Sequence, residues 1–305
     1  MTEPAVVAEL ERRLDELGQV IDLDRLGRMP SDRRAIRAYY WASQLAYSFL
    51  YDARSLHVGL SQPDGVARPE DQQAQAARVA SLTPPGGPVL ELACGRAMNA
   101  GHLARIRPDC PIEGVDLSPV QLRYAAWNLR GLGNVRTMRG DYHDLSAFPE
   151  ASFETAFVVD ALCYSTDKAR VLGEIARVLR PGGRFVVFDG YREAAHLGPV
   201  ETRAMHLFAR GMALAEFEAY TSFRDACLAS PLEIETEEDL SAEVMPSLRR
   251  FEALSRRFLR RPRAARLMAR TLPMALIGNC VSGHLFPVLV GEGIASYRLT
   301  ILRKP

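Results

Sequence analysis

This 305-residue chain lacks the residue patterns that mark several large classes of protein. Its five cysteines are odd in number and widely spaced, without a disulfide framework or paired metal ligands, which favours reduced thiols in a cytoplasmic protein. The six histidines are scattered without ligand spacing, so no metal site is predicted. The formal net charge is only +1, which argues against a dedicated nucleic-acid-binding protein.

Long apolar runs are also missing. The N-terminus carries charges from residue 3 onward and has no apolar core, so no signal peptide is expected. The most apolar late stretch, 274–290, is interrupted by glycine, asparagine, histidine and proline, so we expect no integral membrane segment. A hydrophobic content of 48% is instead that of an ordinary globular chain, long enough for a large α/β domain with additions.

Strand and helix patterns alternate through the middle of the chain. Repeated βα units of this kind predict a mostly parallel sheet that is covered on both faces. A helical insertion is expected before a final edge strand, and together with the N-terminal helices it would form a cap. The apolar runs that indicate the strands fall at 88–93, 112–116, 135–138, 153–159 and 184–189.

The stretch PVLELACGRAMNAG, residues 88–101, is typical of a strand and turn that lead into a helix and hold a nucleotide cofactor. Glu91 lies near the end of the strand, where a carboxylate would repel the pyrophosphate of NAD but would attract an ammonium group. Asp116 ends the second strand, where it can accept from ribose hydroxyls. Asp141 and Tyr142 follow the third strand, in place for an adenine amino group. Ammonium, ribose and adenine in this order describe S-adenosylmethionine (SAM).

Two positions of the turn that usually carry glycine hold Ala93 and Ala97. We expect ordinary alanine dihedral angles at both, because Ala93 would end a strand and Ala97 would begin a helix. Gly95 is retained at the tightest point of the turn. The turn is therefore expected to bind its cofactor still.

Four motifs resemble those of class I SAM-dependent methyltransferases: VLELACG, GVDLSPVQL, GDYHDLSAFPEASFETAFVVDALCY and EIARVLRPGGRFVVFD. The resemblance implies an α/β fold with a doubly wound, seven-stranded Rossmann-like sheet whose last strand is antiparallel. It implies a helical lid at 1–70, a SAM-binding core at 71–239, a cap insertion at 240–290 and the final strand at 291–305. The implied SAM contacts are Tyr40, Glu91, Ala93, Gly95, Asp116, Leu117, Gln121, Asp141, Tyr142 and Asp160.

The segment YYWASQLAYSFLYDARSLH, residues 39–57, resembles the lid of sterol C-methyltransferases and related small-molecule enzymes. Tyr39, Tyr40, Tyr47 and His57 occupy matching places. This second resemblance implies a small acceptor, lipophilic or of secondary metabolism, rather than nucleic acid.

Methylation of an alkene carbon creates a carbocation, which aromatic faces stabilise and which a carboxylate or histidine must deprotonate. The candidate catalytic residues are Asp160, His143, Tyr40 and Tyr47. Carbon is the favoured site of methylation. The alternatives are O- or N-methylation of a polyketide or alkaloid, or a SAM-binding module without activity.

The run LRRFEALSRRFLRRPRAARLMAR, residues 248–270, is densely basic. A solvated helix face is the favoured interpretation. The alternatives are contact with an anionic membrane surface and binding of an anionic substrate group such as a diphosphate. The oligomeric state is open, with a homodimer among the options.

Overall fold

The computed structural model of the protein describes residues 3–50, 57–62, 64–193 and 196–305, with no side chains described for 43–50. The strands found among these residues are β1 (Val89–Leu92), β2 (Ile112–Asp116), β3 (Val135–Arg139), β4 (Phe153–Val159), β5 (Leu179–Arg192), β6 (Glu233–Asp239) and β7 (Ala295–Arg303).

These strands form one sheet in the order β3-β2-β1-β4-β5-β7-β6. The strands from β3 across to β5 pair in parallel, and β7 runs antiparallel to both β5 and β6. The predicted seven-stranded sheet with an antiparallel last strand is therefore confirmed. Strand order reverses between β1 and β4, which creates a crevice beyond the carboxyl ends of these strands.

Helices cover both faces of the sheet. Successive residues of β5 face opposite ways, so that Val186 belongs to one buried cluster and Phe185 to the other. The helices are α1 (Pro4–Gly18), α2 (Leu23–Gly27), α3 (Arg33–Leu50), α4 (Ala74–Leu82), α5 (Met98–Ile106), α6 (Pro119–Asn128), α7 (Lys168–Val178), α8 (Pro199–Gly211), α9 (Tyr220–Leu228), α10 (Ser241–Leu259), α11 (Pro262–Thr271) and α12 (Met274–Gly291).

Arg13 joins the N-terminal helix α1 to the helices that precede β7. Its side chain lies on the apolar side of α1 and is almost fully buried. The guanidinium pairs with Glu252 of α10 at 2.7 Å and donates to the carbonyl of His284 in α12. Because a buried charge is tolerated only with such partners, this pairing holds α1, α10 and α12 in one helical body.

The most apolar helix, α12, is long and apolar enough to cross a membrane by length and composition, with a mean hydropathy of 1.5. In the structure 61% of it is buried, where it packs on α8, α10 and β7. Burial of this extent is that of a core helix in a globular domain.

The helices α8 and α12 cross in direct backbone contact. A Cβ atom added at Gly211 would lie 2.5 Å from the carbonyl oxygen of Gly278 and 2.2 Å from the hydroxyl of Ser282. That hydroxyl donates to the carbonyl of Phe208 at 2.8 Å. Glycine is therefore required at position 211 by the close approach of the two helices.

Replacing Gly211 by alanine is expected to lower the free energy of unfolding by about 1–3 kcal/mol, because the added methyl group overpacks the crossing. The matched control is Gly173→Ala in α7, where a methyl group would meet nothing within 4 Å. This control should gain about 1 kcal/mol from helix propensity. Urea denaturation followed by circular dichroism measures both changes, and wild-type stability of Gly211→Ala would contradict the close crossing.

Candidate active site

A cavity of about 160 Å³ lies at the carboxyl ends of β1, β2 and β4, at the switch point of the sheet. The turn between β1 and α5 forms one wall, and α3 covers it from the N-terminal side. Ligands bind at this edge in open α/β sheets because the loops that follow the strands, and the helix N-termini, converge there.

Glu91 of β1 lines this cavity and is only 3% exposed. Its Oε2 atom accepts a hydrogen bond from the backbone nitrogen of Ala100 at 3.0 Å, and the Asn99 side chain donates to it as well. Burial nevertheless raises the pKa of Glu91 to about 8, because these hydrogen bonds offset only part of the desolvation. A cationic ligand group would restore the charged carboxylate here.

Asp116 connects two turns at the same edge of the sheet. Its carboxylate accepts from the backbone nitrogen of Gly95 at 2.9 Å and from that of Ser118 at 2.7 Å. Burial still raises the pKa of this carboxyl group above its usual value. Each carboxylate oxygen has a further lone pair, so Asp116 can accept from a ligand while it holds both turns.

Unpartnered polar atoms mark the wall of the cavity as a binding surface. The amide of Gln121 is 3% exposed, and neither its oxygen nor its nitrogen has a hydrogen-bond partner among the described residues. The same holds for the Oδ1 atom of Asn99. Buried polar groups without a partner cost about 1–3 kcal/mol each, so these atoms fit a polar ligand.

The backbone of the turn differs from the sequence-based expectation. Ala93 and Ala97 have φ angles of +51° and +55°, and Gly95 between them has +53°. The expectation of ordinary dihedral angles at both alanines is therefore wrong. The chain reverses within a few residues here, and a hydrogen bond from the Ala97 nitrogen to the Cys94 carbonyl at 2.7 Å closes the turn. Each alanine there costs about 1–2 kcal/mol.

Ala93→Gly is expected to stabilise the protein by up to about 1 kcal/mol, because relief of the left-handed strain exceeds the added entropy of the unfolded chain. The control Ala126→Gly lies on the exposed face of α6 and should cost about 1 kcal/mol. Thermal unfolding without ligand measures both variants. A loss of stability in Ala93→Gly equal to that of the control would contradict the left-handed backbone.

Asp141 lies just behind the cavity rather than on its wall. One carboxylate oxygen pairs with Arg33 of α3 at 2.8 Å, and the other accepts from the backbone nitrogen and the ring of His143. Partial burial raises the pKa of Asp141. The bonds to His143 and the charge of Arg33 outweigh this effect, so the pKa is lowered overall. The carboxylate thus links α3 to the loop after β3 in this structure, and its contact with adenine stays a prediction.

The side chains that follow Asp141 in this loop also form hydrogen bonds within the protein. The ring nitrogens of His143 lie 2.7 Å from Asp141 and 2.8 Å from the hydroxyl of Ser165. The Tyr142 hydroxyl donates to the carbonyl of Ala161 at 3.2 Å, which leaves its ring as a wall of the cavity. His143 lines the first cavity and not the second, and both its ring nitrogens have partners; its role as a catalytic base stays a prediction.

A second cavity of about 490 Å³ lies between the carboxyl ends of β4 and β5 and the helices α8, α10, α11 and α12. Its wall is mostly apolar and aromatic, and no lysine or arginine lines it among the described residues. Two carboxylates, Asp160 and Asp189, face it from the ends of β4 and β5. The side chains contributed by the helices include Met212, Phe251, Leu254, Phe258, Met268, Leu272, Leu276, Ile277 and Phe286.

The two cavities meet at four residues that line both: Tyr40, His57, Asp160 and Tyr164. The rings of Tyr40 and Tyr164 lie 6.0 Å apart between centroids. The Tyr164 hydroxyl donates to the carbonyl of Met212 at 2.9 Å, and the His57 ring nitrogen lies 3.0 Å from the carbonyl of Gln72.

Asp160 is the carboxylate at this junction. It has a left-handed φ of +50°, which aims its side chain away from the strand that it ends. Its Oδ2 atom accepts from the backbone nitrogen of Val58 at 2.9 Å, while Oδ1 has no partner in the described part of the chain. Burial, and next the charge of Asp189, raise the pKa of Asp160 to about 7, whereas the nearby Tyr297 hydroxyl and the hydrogen bond from Val58 lower it.

The structure gathers most of the residues singled out from the sequence. Tyr47 lies among the side chains outside the described residues. Sequence reasoning missed Asn99 and Asp189, although the carboxylate that ends the run GRFVVFD was a signal for the latter. The residues of the implied cofactor set that line the first cavity are Tyr40, Glu91, Ala93, Gly95, Asp116, Leu117, Gln121, Tyr142 and Asp160.

Residues 90–187 match the family model described as "Methyltransferase domain". These residues form a methyltransferase domain, and they make up less than half of the chain. The match runs from within β1, with Glu91, through most of β5, so the matched region supplies most of the first cavity and Asp160 at the junction. The helices that wall the second cavity lie outside the matched region.

Two curated relatives cover more of the chain. The sterol 24-C-methyltransferase of Eremothecium gossypii is 28% identical over 66% of this chain and 52% of its own length. The 27-O-demethylrifamycin SV methyltransferase of Amycolatopsis mediterranei is 26% identical over 69% of this chain and 80% of its own length. The chain spans about half the length of the sterol methyltransferase that it matches.

Among solved structures, the geranyl diphosphate C-methyltransferase of Streptomyces coelicolor A3(2) has a TM-score of 0.65 at 17% identity. The match covers 91% of this chain and 100% of that one, which was solved with Mg²⁺, geranyl diphosphate and S-adenosyl-L-homocysteine. At this identity the match shows the fold alone. With the relatives, it confirms the resemblance to class I and sterol-type methyltransferases that the sequence motifs indicated.

Proposed function

We propose that this protein transfers the methyl group of SAM to a small lipophilic acceptor that carries no anionic group. The observation that carries the proposal is the junction of a polar cavity and an apolar cavity at Tyr40, His57, Asp160 and Tyr164. Methyl transfer needs a sulfonium donor and a nucleophile to meet in line with water excluded. Two cavities that share one wall satisfy this requirement.

The residues of the first cavity fit SAM. The buried carboxylate of Glu91 suits its ammonium group, and Asp116 suits the ribose hydroxyls. The unpartnered amide of Gln121 and the ring of Tyr142 are available to contact the rest of the nucleoside, which is its adenine base. When bound, SAM supplies an electrophilic methyl group on a positively charged sulfur.

The second cavity defines the acceptor class. It is walled by apolar side chains, and Asp160 and Asp189 are its only ionisable groups with a negative charge among the described residues. A diphosphate would lose its hydration there without meeting a lysine or arginine, and it would face two carboxylates. The arginines of 248–270 are exposed and do not line the cavity, so they cannot supply the missing charge. This arrangement favours a neutral lipophilic acceptor over a prenyl diphosphate.

Asp160 is assigned as the proton acceptor. Its unpartnered Oδ1 atom lies at the junction, and a pKa of about 7 allows a carboxylate to take a proton near neutral pH. The faces of Tyr40 and Tyr164 would stabilise positive charge that develops on the acceptor. Together they favour methylation of an alkene carbon, in which a proton must leave after the methyl group is attached.

A second candidate is O-methylation of a polyketide-type acceptor, which the relative from Amycolatopsis mediterranei favours by its name. Asp160 would then remove the hydroxyl proton as the oxygen attacks.

The direct experiment incubates the protein with methyl-labelled SAM and a panel of neutral sterols, isoprenoid alkenes, phenols, amines and prenyl diphosphates. Label in a neutral acceptor supports the proposal, and label only in diphosphates would overturn the acceptor class.

Binding of SAM at pH 7 is expected to release close to one proton from Glu91. The carboxyl group is mostly protonated at pH 7 because its pKa is about 8, and the ammonium group of SAM lowers that pKa. Calorimetry in two buffers of different ionisation enthalpy counts the protons. Glu91→Gln should abolish the release and weaken binding by about 1.5–3 kcal/mol. Glu113→Gln, outside the cavity, is the matched control, and equal proton release by both variants would contradict the assignment.

Asp160→Asn is expected to lower the rate of methyl transfer by about 10²–10⁴-fold while SAM affinity stays within about twofold. In the wild type, kcat/KM should rise with pH through a midpoint near pH 7 and level off above it, because only the ionised carboxylate accepts a proton. Asp189→Asn should move that midpoint to lower pH, since the charge of Asp189 raises the pKa of Asp160. A pH profile unaltered by Asp189→Asn would contradict the role of Asp160.

A further inference from the structure

The helix α11 presents a mixed basic and apolar face to solvent. Arg263, Arg266, Leu267 and Arg270 recur at the spacing of one helix face, and all four are exposed. Leu267 is 65% exposed in the middle of this face. The opposite side of α11 is anchored by the buried residues Ala265 and Ala269, so the orientation of the helix is fixed by packing.

The end of α10 extends the basic surface. Nine arginines fall between positions 249 and 270, all exposed, and Glu252 is the only acidic residue in this interval. Glu252 is turned inward, where it pairs with buried Arg13 and with Arg256. Arg263 and Arg270 form no ion pair within the described part of the chain. The surface, which we call the α10–α11 basic face, therefore carries a large uncompensated positive charge.

This face forms the outer side of the acceptor cavity. Met268 lines the second cavity and is 44% exposed, so one side chain separates the cavity from solvent at this point. Leu272, directly after α11, and Phe258, near the end of α10, line the same cavity. A lipophilic molecule held here thus lies next to the basic face and far from the other edge of the sheet.

We propose that the α10–α11 basic face docks the protein on an anionic lipid bilayer, with Leu267 inserted among the acyl chains. Basic helices with an apolar residue on the same face bind such surfaces through lipid phosphates and through burial of the apolar side chain. Leu267 lies among these arginines with its side chain 65% exposed, so its insertion among acyl chains would remove apolar surface from water. The inference goes beyond the proposed reaction and adds a route by which a membrane-dissolved acceptor reaches the cavity.

The test is sedimentation of the full chain, without SAM or acceptor, with vesicles of phosphatidylcholine alone or with 30% phosphatidylglycerol. Binding is expected only to the anionic vesicles, and it should weaken as salt rises. The triple variant Arg263→Gln, Arg266→Gln, Arg270→Gln should bind about 100-fold more weakly, since each arginine near an anionic surface contributes about fivefold. Leu267→Gln should bind about tenfold more weakly.

The control removes the same charge elsewhere, by Arg123→Gln, Arg130→Gln and Arg136→Gln near the β3 edge of the sheet. It should bind vesicles like the wild type. Leu267→Trp supplies a second readout that a folding defect would not produce: its fluorescence should shift to shorter wavelength on addition of anionic vesicles. Equal loss in the two triple variants, or no shift for Leu267→Trp, would overturn the proposal. Tighter binding to a DNA duplex than to anionic vesicles would overturn it as well.

These measurements need neither cofactor nor turnover. Vesicle binding that persists in a protein without methyl-transfer activity would retain the docking surface and reject the proposed reaction. Methyl transfer without vesicle binding would do the reverse.

Discussion

Four carboxylates, two of them buried and two half-buried, lie at one edge of the sheet, and the rest of the site depends on how they are accommodated. Glu91, Asp116, Asp160 and Asp189 end or nearly end β1, β2, β4 and β5, and burial raises the pKa of each. Parallel strands bring their carboxyl ends together, so acidic residues at equivalent positions concentrate negative charge at one edge of the sheet. Such an edge is completed by ligands that bring positive charge or hydrogen-bond donors.

The same acidic edge is divided between two environments by the helices that cover it. On one side, Glu91 and Asp116 face a narrow polar cavity with unpartnered amide atoms. On the other, Asp160 and Asp189 face a wide apolar cavity under α8, α10, α11 and α12. The division requires that the helical body stay in register with the sheet. The buried Arg13 pairing and the glycine contact between α8 and α12 provide this rigidity.

Charges of opposite sign are concentrated on different parts of the molecule. The formal net charge is +1, yet acids collect at the cavity edge while arginines collect on α10 and α11. Among the described residues no lysine or arginine lines the second cavity, although a dense cationic surface lies just outside it. A neutral lipophilic ligand inside and an anionic surface outside are mutually compatible with this arrangement, whereas an anionic ligand inside is not.

The sequence by itself determined the sheet, its final antiparallel strand and the carboxylates near the ends of β1, β2 and β4. Those features follow from local periodicity and from the rule that parallel strands align their ends. The left-handed angles of Ala93 and Ala97 were missed because they are imposed by a chain reversal that the residues' own preferences oppose. Arg33 of the N-terminal helix α3 pairs with Asp141 after β3, and the apolar cavity is assembled from α3, the ends of β4 and β5, and the consecutive helices α10, α11 and α12. Only the tertiary structure decided this ion pair and this cavity. Each joins segments that are distant in the chain, and the sequence of one segment does not indicate which other segment it will contact.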